Sequence, residues 1–404
     1  MKDTMATHNK LHRPLIEAVA HILKEVFEDD GYADRVLETT FRNNPRWGAR
    51  DRRFIAETAY TIIRQYRLLK TSAACRDGDY YCLIAAYLAL EGYELPPWPE
   101  FDIDRHAVAT RHEVMMGTRK LRESVPDWLD ELGERELGSR WTTELHALNQ
   151  EAPLVLRTNT LKNTVEQLRQ MLRDEGVETA SVPGFPDALI VIQRQNVFRL
   201  KTFREGRFEV QDGASQAVAP YLDTAPGMRV IDACAGAGGK SLHLAALMKN
   251  KGRLIALDVA SWKLDELRRR ARRAGVSNLE TRLIDSPKVI KRLGESADRV
   301  LLDVPCSGLG VLRRNPDAKW KLTERQIEEI GKQQEQILDT YCRMVRPGGY
   351  LVYATCSILP SENEQRIRAF LERSGNTFER VDEKRLWPSD GFDGFYMARL
   401  RRLT

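Results

Sequence analysis

Two stretches carry side chains that can do covalent chemistry. Asp303-Val304-Pro305-Cys306-Ser307-Gly308 and Ala354-Thr355-Cys356-Ser357 each place a Cys before a Ser at the end of an apolar run. A thiolate is a strong nucleophile. Two thiols brought together suit a reaction that needs an attacking group and a second group to handle protons or leaving groups. A third stretch, Asp232-Ala233-Cys234-Ala235-Gly236-Ala237-Gly238-Gly239-Lys240-Ser241, is a glycine-rich turn between a strand and a helix. Such turns let a ligand approach the backbone closely, next to a helix N-terminus.

The spacing of that turn narrows the ligand. A phosphate-binding loop would need Gly where Cys234 stands, and a dinucleotide fingerprint starting at Gly236 would need Gly where Ser241 stands. Asp258 closes the next strand and Asp285 the third, so three successive strands end in Asp. One such Asp reads most simply as a helix N-cap. Three at the ligand-bearing edge of an open sheet favour a ribose and an adenine. An adenosyl ligand without a pyrophosphate fits, and that ligand is S-adenosylmethionine.

The paired thiols then acquire a purpose. Carbon 5 of cytosine is a poor nucleophile, but a thiolate added at carbon 6 gives an adduct whose carbon 5 can take a methyl group. The adduct must afterwards lose its carbon 5 proton and expel the thiolate, which calls for a second group on that face. Asp303 can hold the exocyclic amine and ring nitrogen of the base. Lys240 adds positive potential that lowers a thiol pKa. Cys342, Cys75 and Cys82 read as core residues, and Cys234 as a packing residue in the turn. All six cysteines are expected to be reduced thiols, with no spacing for zinc and no metal.

These residues need a scaffold. From Gly227 onward strands and helices alternate: strands at Met228–Ala233, Gly252–Val259, Leu279–Asp285, Asp298–Val304 and Tyr350–Thr355, then two closing segments, Phe378–Leu386 and Gly394–Leu400. This implies a doubly wound α/β sheet in which the fourth and fifth strands are neighbours, so Cys306 and Cys356 face one crevice. Ahead of it lies a small α+β unit with strands at Leu154–Asn159, Ala188–Ile192 and Phe208–Gln211 and a helix at Thr164–Glu175. Residues 1–125 are helical, with apolar spacing at Leu15, Ile16, Val19, Ile22, Leu23 and Val26 and again from Phe54 to Tyr66. Another helical stretch runs from Pro126 to about Asn149.

Composition is that of an ordinary globular chain, 404 residues with 42% hydrophobic and 30% charged residues and a net charge of +5. No run is apolar enough for a membrane span, and Met1 to Leu11 lack the core of a signal peptide, so a cytoplasmic protein is expected. The mild charge excess proves no nucleic-acid partner. Local clusters (Arg268, Arg269, Arg270, Arg272 and Arg273; Arg313 and Arg314; Arg399, Arg401 and Arg402) could neutralise phosphates or form solvated faces.

From about Leu154 to the C-terminus the chain resembles the Sun/RsmB family of RNA cytosine-5 methyltransferases, whose bacterial members modify ribosomal RNA. The likeness rests on Gln211-Asp212 through Gln216, Cys234–Lys240, Asp303–Gly308 and Thr355-Cys356-Ser357. It extends to Arg314-Asn315-Pro316-Asp317 with Trp320, and to Pro360-Ser361-Glu362-Asn363-Glu364. It implies a class I Rossmann-like methyltransferase domain at 213–404. An RRM-like α+β subdomain with a linker helix is implied at 126–212, and an all-α NusB-like RNA-binding domain at 1–125. The N-terminal part of this likeness lies in Tyr32–Arg67, including Trp47 to Arg53, and that part could equally be structural. By resemblance Cys356 is the nucleophile and Cys306 promotes release. Cys234, Ala235, Gly236, Ala237, Gly238, Gly239, Lys240, Asp258, Asp285 and Asp303 line the cofactor and base site, and Lys263 is a basic cofactor contact. The family turn usually carries Pro where this chain has Ala237.

The expected activity is therefore methyl transfer from S-adenosylmethionine to carbon 5 of a cytosine in RNA, with 16S ribosomal RNA the first candidate and transfer RNA the second. A monomer is the default. The competing readings are a methyltransferase acting on an amine, a catalytically idle RNA-binding or assembly factor, and a nucleotide hydrolase. The first usually shows an aromatic where Cys306 stands, and the last is disfavoured by Cys234.

Overall fold

The computed structural model describes residues 11–404, and the chain divides into two units, Met1–Gln150 with Leu312–Glu324, and Glu151–Val311 with Arg325–Thr404. The stretch weighed as a signal peptide lies almost wholly outside the described residues. Among those described, no helix is long and apolar enough to cross a membrane.

The first unit is helical. Helix Arg13–Phe27 buries Ile16, Val19, Ile22, Leu23 and Val26 on one face, and helix Ala49–Arg64 buries Ile55, Ala59, Ile62 and Ile63 against it. Helix Tyr80–Leu90 is apolar nearly all round because it fills the centre of the unit. The stretch from Pro126 becomes two helices, Asp127–Leu137 and Arg140–Leu148, broken at Gly138-Ser139. Leu312–Glu324 returns to this unit from late in the chain. Trp320 donates to Ile63 O at 2.7 Å and meets Phe27 and Tyr66, while buried Lys319 donates to Arg64 O at 2.7 Å and Asn149 Oδ1 at 3.2 Å. Cys75 and Cys82, expected to be reduced, form a disulfide. The short loop between helices Tyr66–Ala73 and Tyr80–Leu90 doubles back and brings their Cα atoms to 5.7 Å, within bridging reach.

The second unit carries two sheets. The smaller is antiparallel, with β1 (Val155–Thr158), β2 (Thr179–Val182), β3 (Phe185–Val191) and β4 (Phe208–Val210) in the order β2-β3-β1-β4. One face, through Leu156, Leu189 and Phe208, packs on Leu168 and Leu172 of helix Val165–Asp174. That helix opens on a capping box in which Thr164 and Gln167 satisfy each other's backbone N–H. The opposite face, through Val155 and Ala188, is covered by the rest of the unit, with Phe185 against Phe392 and Gln216 bonded to Leu156 O. This face of the RRM-like sheet is therefore already buried within the unit.

The larger sheet comprises β5 (Arg229–Asp232), β6 (Arg253–Asp258), β7 (Leu279–Leu283), β8 (Ala297–Asp303), β9 (Val345–Thr355), β10 (Phe378–Leu386) and β11 (Phe395–Arg402). Its order is β10-β11-β9-β8-β5-β6-β7, parallel from β5 through β9, with β11 antiparallel to both neighbours. Helices cover both faces. Leu338, Ile367 and Phe370 seal one; Val218, Leu244 and Leu267 seal the other. This is a doubly wound α/β sheet, and its strand order reverses between β5 and β8, where a ligand crevice opens at the carboxyl ends.

Candidate functional site

The crevice is floored by the glycine-rich turn after β5. Gly238 has φ +88°, and a Cβ there would come within 1.9 Å of Leu267 Cδ1, so only glycine fits. Gly236, at φ +54°, faces open space, leaving its backbone bare to a ligand. Asp258 at the end of β6 is nearly buried and holds this turn: Oδ2 accepts from Gly236 N–H and Oδ1 from Ala260 N–H, each at 2.9 Å. It thus ties the residue before the next helix to the turn and braces both, with a second lone pair on each oxygen still to offer. Strand β7 stops at Leu283, and Asp285 lies exposed two residues beyond. Val259, 69% exposed, and Leu283 stand beside these two carboxylates as bare apolar walls. Lys263 is half-buried on the first turn of helix Ser261–Ala274. Cys234 and Ala235 are enclosed by the turn, and burial pushes the Cys234 thiol well up.

At the other end of the crevice β8 and β9 pair in parallel, with Asp303 opposite Ala354. The residues just beyond them, Cys306 and Cys356, bring their sulfurs to 3.3 Å without a disulfide. The hydrogen bond with Cys356, and burial, push the Cys306 thiol well up. Lys240 donates to Asp303 Oδ2 at 2.6 Å and lies over the Phe395 ring. Burial disfavours its charge, but the Asp303 carboxylate and the Cys356 sulfur outweigh that, and its pKa is raised. The ammonium is thus fixed beside both an acid and a thiol.

What aligns the two cysteine tips is a buried carboxylate that the sequence reading assigned no role. Glu362 accepts from Ser307 N–H at 2.8 Å, from Gln334 Nε2 at 3.0 Å, and from the hydroxyls of Ser307 and Ser357. The Ser after each Cys therefore converges on one side chain. Thr355 and Asn363 add a second tie, with Asn363 Nδ2 donating to Ser357 O at 3.0 Å. The repeated Cys-Ser and the Pro360–Glu364 segment were the available signals, but nothing in them marks Glu362 as buried.

The arginine cluster on helix Ser261–Ala274 is largely engaged within the unit. Arg270 and Arg273 clamp Glu209, which is 4% exposed, and Arg268 and Arg269 pair with Asp265 and Glu266. Arg399, Arg401 and Arg402 pair with Asp382, Glu379 and Glu295. Arg270 and Arg273 thus hold the fold together, while Arg268 and Arg269 stand in exposed pairs on their own helix, as a solvated face would place them.

The crevice offers an adenosyl ligand bare turn backbone, the exposed apolar side chains Val259 and Leu283, and the Asp258 and Asp285 carboxylates. Among the described residues no cluster of His, Cys, Asp and Glu could hold a metal ion. The model of the family described as 16S rRNA methyltransferase RsmB/F matches residues 219–401, and that of an RsmF/B-like ferredoxin-like domain matches residues 125–198. The probable ribosomal RNA small subunit methyltransferase B of Synechocystis is 30% identical over 396 residues, covering 87% of each chain. Ribosomal RNA small subunit methyltransferase B of Enterobacter is 35% identical, over 68% of this chain and 66% of its own. The crystal structure of the protein PH0851 superposes with a TM-score of 0.81 at 26% identity, covering 98% of this chain and all of that one. An α/β crevice carrying two free thiols, and relatives of this extent, lead to one statement: the chain belongs to the RsmB/F methyltransferase family, and S-adenosylmethionine is its cofactor.

Proposed function

We propose that the protein methylates carbon 5 of a cytosine in RNA, with 16S ribosomal RNA as substrate, through a covalent adduct on Cys356. The observation that carries this reading is the pair of sulfurs 3.3 Å apart beside the Lys240–Asp303 ion pair. A methyltransferase acting on an amine has no use for either thiol.

The two sulfurs have different work. The family likeness gives the attack to Cys356, with Cys306 3.3 Å away as its partner and Lys240 nearby to stabilise negative charge on the attacking sulfur. Asp303 accepts from the exocyclic amine of the base and steadies a protonated ring nitrogen, drawing electron density from carbon 6. Cys356 Sγ bonds to carbon 6, and the pair of the carbon 5–carbon 6 double bond moves to carbon 5. Residues 234–240 with Asp258, Asp285 and Lys263 would hold S-adenosylmethionine, which would supply the electrophilic methyl group for that carbon and keep the pair of the broken methyl–sulfur bond on sulfur. Cys306 gives its proton to solvent, and its thiolate takes the proton from carbon 5 and becomes a thiol again. The bond to Cys356 then breaks, the double bond returns and the thiolate leaves.

The same reading gives residues 1–125 as an RNA-binding helical domain, 126–212 as the linker helix and RRM-like subdomain, and 213–404 as the catalytic domain. The protein acts as a cytoplasmic monomer. The test is to incubate it with ribosomal and transfer RNA and a labelled methyl donor, then digest the RNA and identify the labelled nucleoside. The expected result is 5-methylcytidine from 16S RNA. Label in transfer RNA would change the substrate, label on an amine would refute the chemistry, and no label in any RNA would favour an assembly factor.

A further inference from the structure

The small α+β layer does more than sit beside the catalytic sheet: it reaches the backbone of the glycine-rich turn. Arg270, from helix Ser261–Ala274, donates from Nη1 to Ala237 O at 2.8 Å and from Nη2 to Glu209 Oε2 at 2.9 Å. Glu209 belongs to β4 of the small sheet, and its other oxygen is held by Arg273. Buried Arg157, from β1, donates to Gly239 O and to Gln211. Two carbonyls of the turn, one on each side of Gly238, thus end on guanidinium groups anchored in or by the other layer.

The anchor is itself rigid. Asn159 Nδ2 bridges Gly206 O at 2.7 Å and Ala274 O at 2.8 Å, and Lys162 Nζ bridges Glu205 O and Arg273 O, each at 2.7 Å. A Cβ at Gly206 would fall 2.1 Å from Arg273 O, so the layers touch backbone to backbone. These donors satisfy carbonyls that the end of helix Ser261–Ala274 leaves open. Ala237 supplies no stiffness of its own, since only proline fixes φ. A turn that must present bare backbone to a ligand gains affinity by being held in shape beforehand.

We propose that Arg270 is a positioning residue for the cofactor turn, fixing Ala237 through Glu209 so that the α+β layer sets the affinity for S-adenosylmethionine. It touches neither cofactor nor base and acts through the turn. This rests on the turn being the cofactor site.

The test uses the full chain with Arg270→Met, which keeps the aliphatic stem and removes both hydrogen bonds, and with Arg270→Lys. One ammonium cannot span the two acceptors as the guanidinium fork does, so the lysine variant keeps the charge beside Glu209 yet loses the brace. Calorimetric titration with S-adenosylmethionine is expected to show dissociation constants raised roughly tenfold in both, the size of one lost charge-assisted hydrogen bond. Affinity for a 16S RNA transcript should stay within twofold. In the free protein, amide exchange at Gly236 and Gly238 should speed up several-fold. Cofactor affinity within twofold of the parent in either folded variant overturns the proposal. So does an equal loss of cofactor and RNA affinity, or unchanged exchange. Failure of the parent protein to bind S-adenosylmethionine would instead refute the cofactor site itself.

Discussion

Removing Glu362 should separate thiol alignment from cofactor binding. Its carboxylate, 1% exposed, takes hydrogen bonds from Ser307 N–H, Gln334 Nε2 and two serine hydroxyls. In Glu362→Ala the hydroxyls can turn to each other, since Ser307 Oγ and Ser357 Oγ are 3.2 Å apart. Gln334 keeps Pro305 O at 3.0 Å. Ser307 N–H has no such substitute, and one Gln334 N–H is released. Two buried donors without partners cost about 2–5 kcal/mol together. Glu362→Gln can keep its oxygen on Ser307 N–H and Gln334 and turn its amide to the hydroxyls, which then accept, so about 1–2 kcal/mol is expected. The kinetic effect is larger than stability alone suggests. Ser307 and Ser357 adjoin the two thiols, and a displacement of about 1 Å at reacting groups costs on the order of 100-fold in rate. Turnover with saturating RNA and cofactor should fall about 100-fold in the alanine variant and about tenfold in the glutamine variant. Cofactor affinity by calorimetry should be unchanged, and urea unfolding would give the stability change. A folded alanine variant with parental turnover, or one whose loss lies wholly in cofactor affinity, would refute the role assigned to Glu362.

Asp232 should give the fold a pH signature. Burial pushes its carboxyl up to about 7, so between pH 4 and 7 the folded chain binds a proton that the unfolded chain has released. Stability therefore falls as pH rises through that window, by roughly 4 kcal/mol at most. Asp232→Asn should be more stable than the parent at pH 8 and no more stable at pH 4 by chemical denaturation; parallel pH profiles would contradict this. In the helical unit, Trp320→Ala should cost about 3–5 kcal/mol, because it empties a site between Phe27 and Tyr66 and strips Ile63 O of its donor. Unfolding at unchanged midpoint would show that the returning segment contributes little there.

Some of this was legible in the residues and some was not, for physical reasons. Strands β5, β6, β8 and β9 each contain a buried apolar run leading to chemistry-bearing residues, so pattern alone located them and made Cys306 and Cys356 neighbours. Strand β2 escaped because Thr179–Val182 is four residues long, lies at a sheet edge and is half polar. The return of Leu312–Glu324 to the helical unit was invisible because it hangs on Trp320 and buried Lys319, neither of which makes a periodic signal. Glu362 was quoted only as part of a motif. A glutamate reads as surface until its four donors are brought together by the fold. The structural part played by Arg270 and Arg273 was hidden for the complementary reason: their partner Glu209 lies far away in sequence.

The division of labour between the thiols is the centre of the account, and one measurement addresses it. The Cys306→Ala and Cys356→Ala variants are each mixed with 16S RNA and S-adenosylmethionine, denatured and run on a gel that separates free protein from protein joined to RNA. Cys306→Ala should accumulate a covalent protein–RNA species, because Cys356 can attack but release is blocked, while Cys356→Ala should form none. Accumulation with Cys356→Ala instead, or normal turnover by Cys306→Ala, would contradict the assignment of Cys356 as nucleophile and Cys306 as its partner.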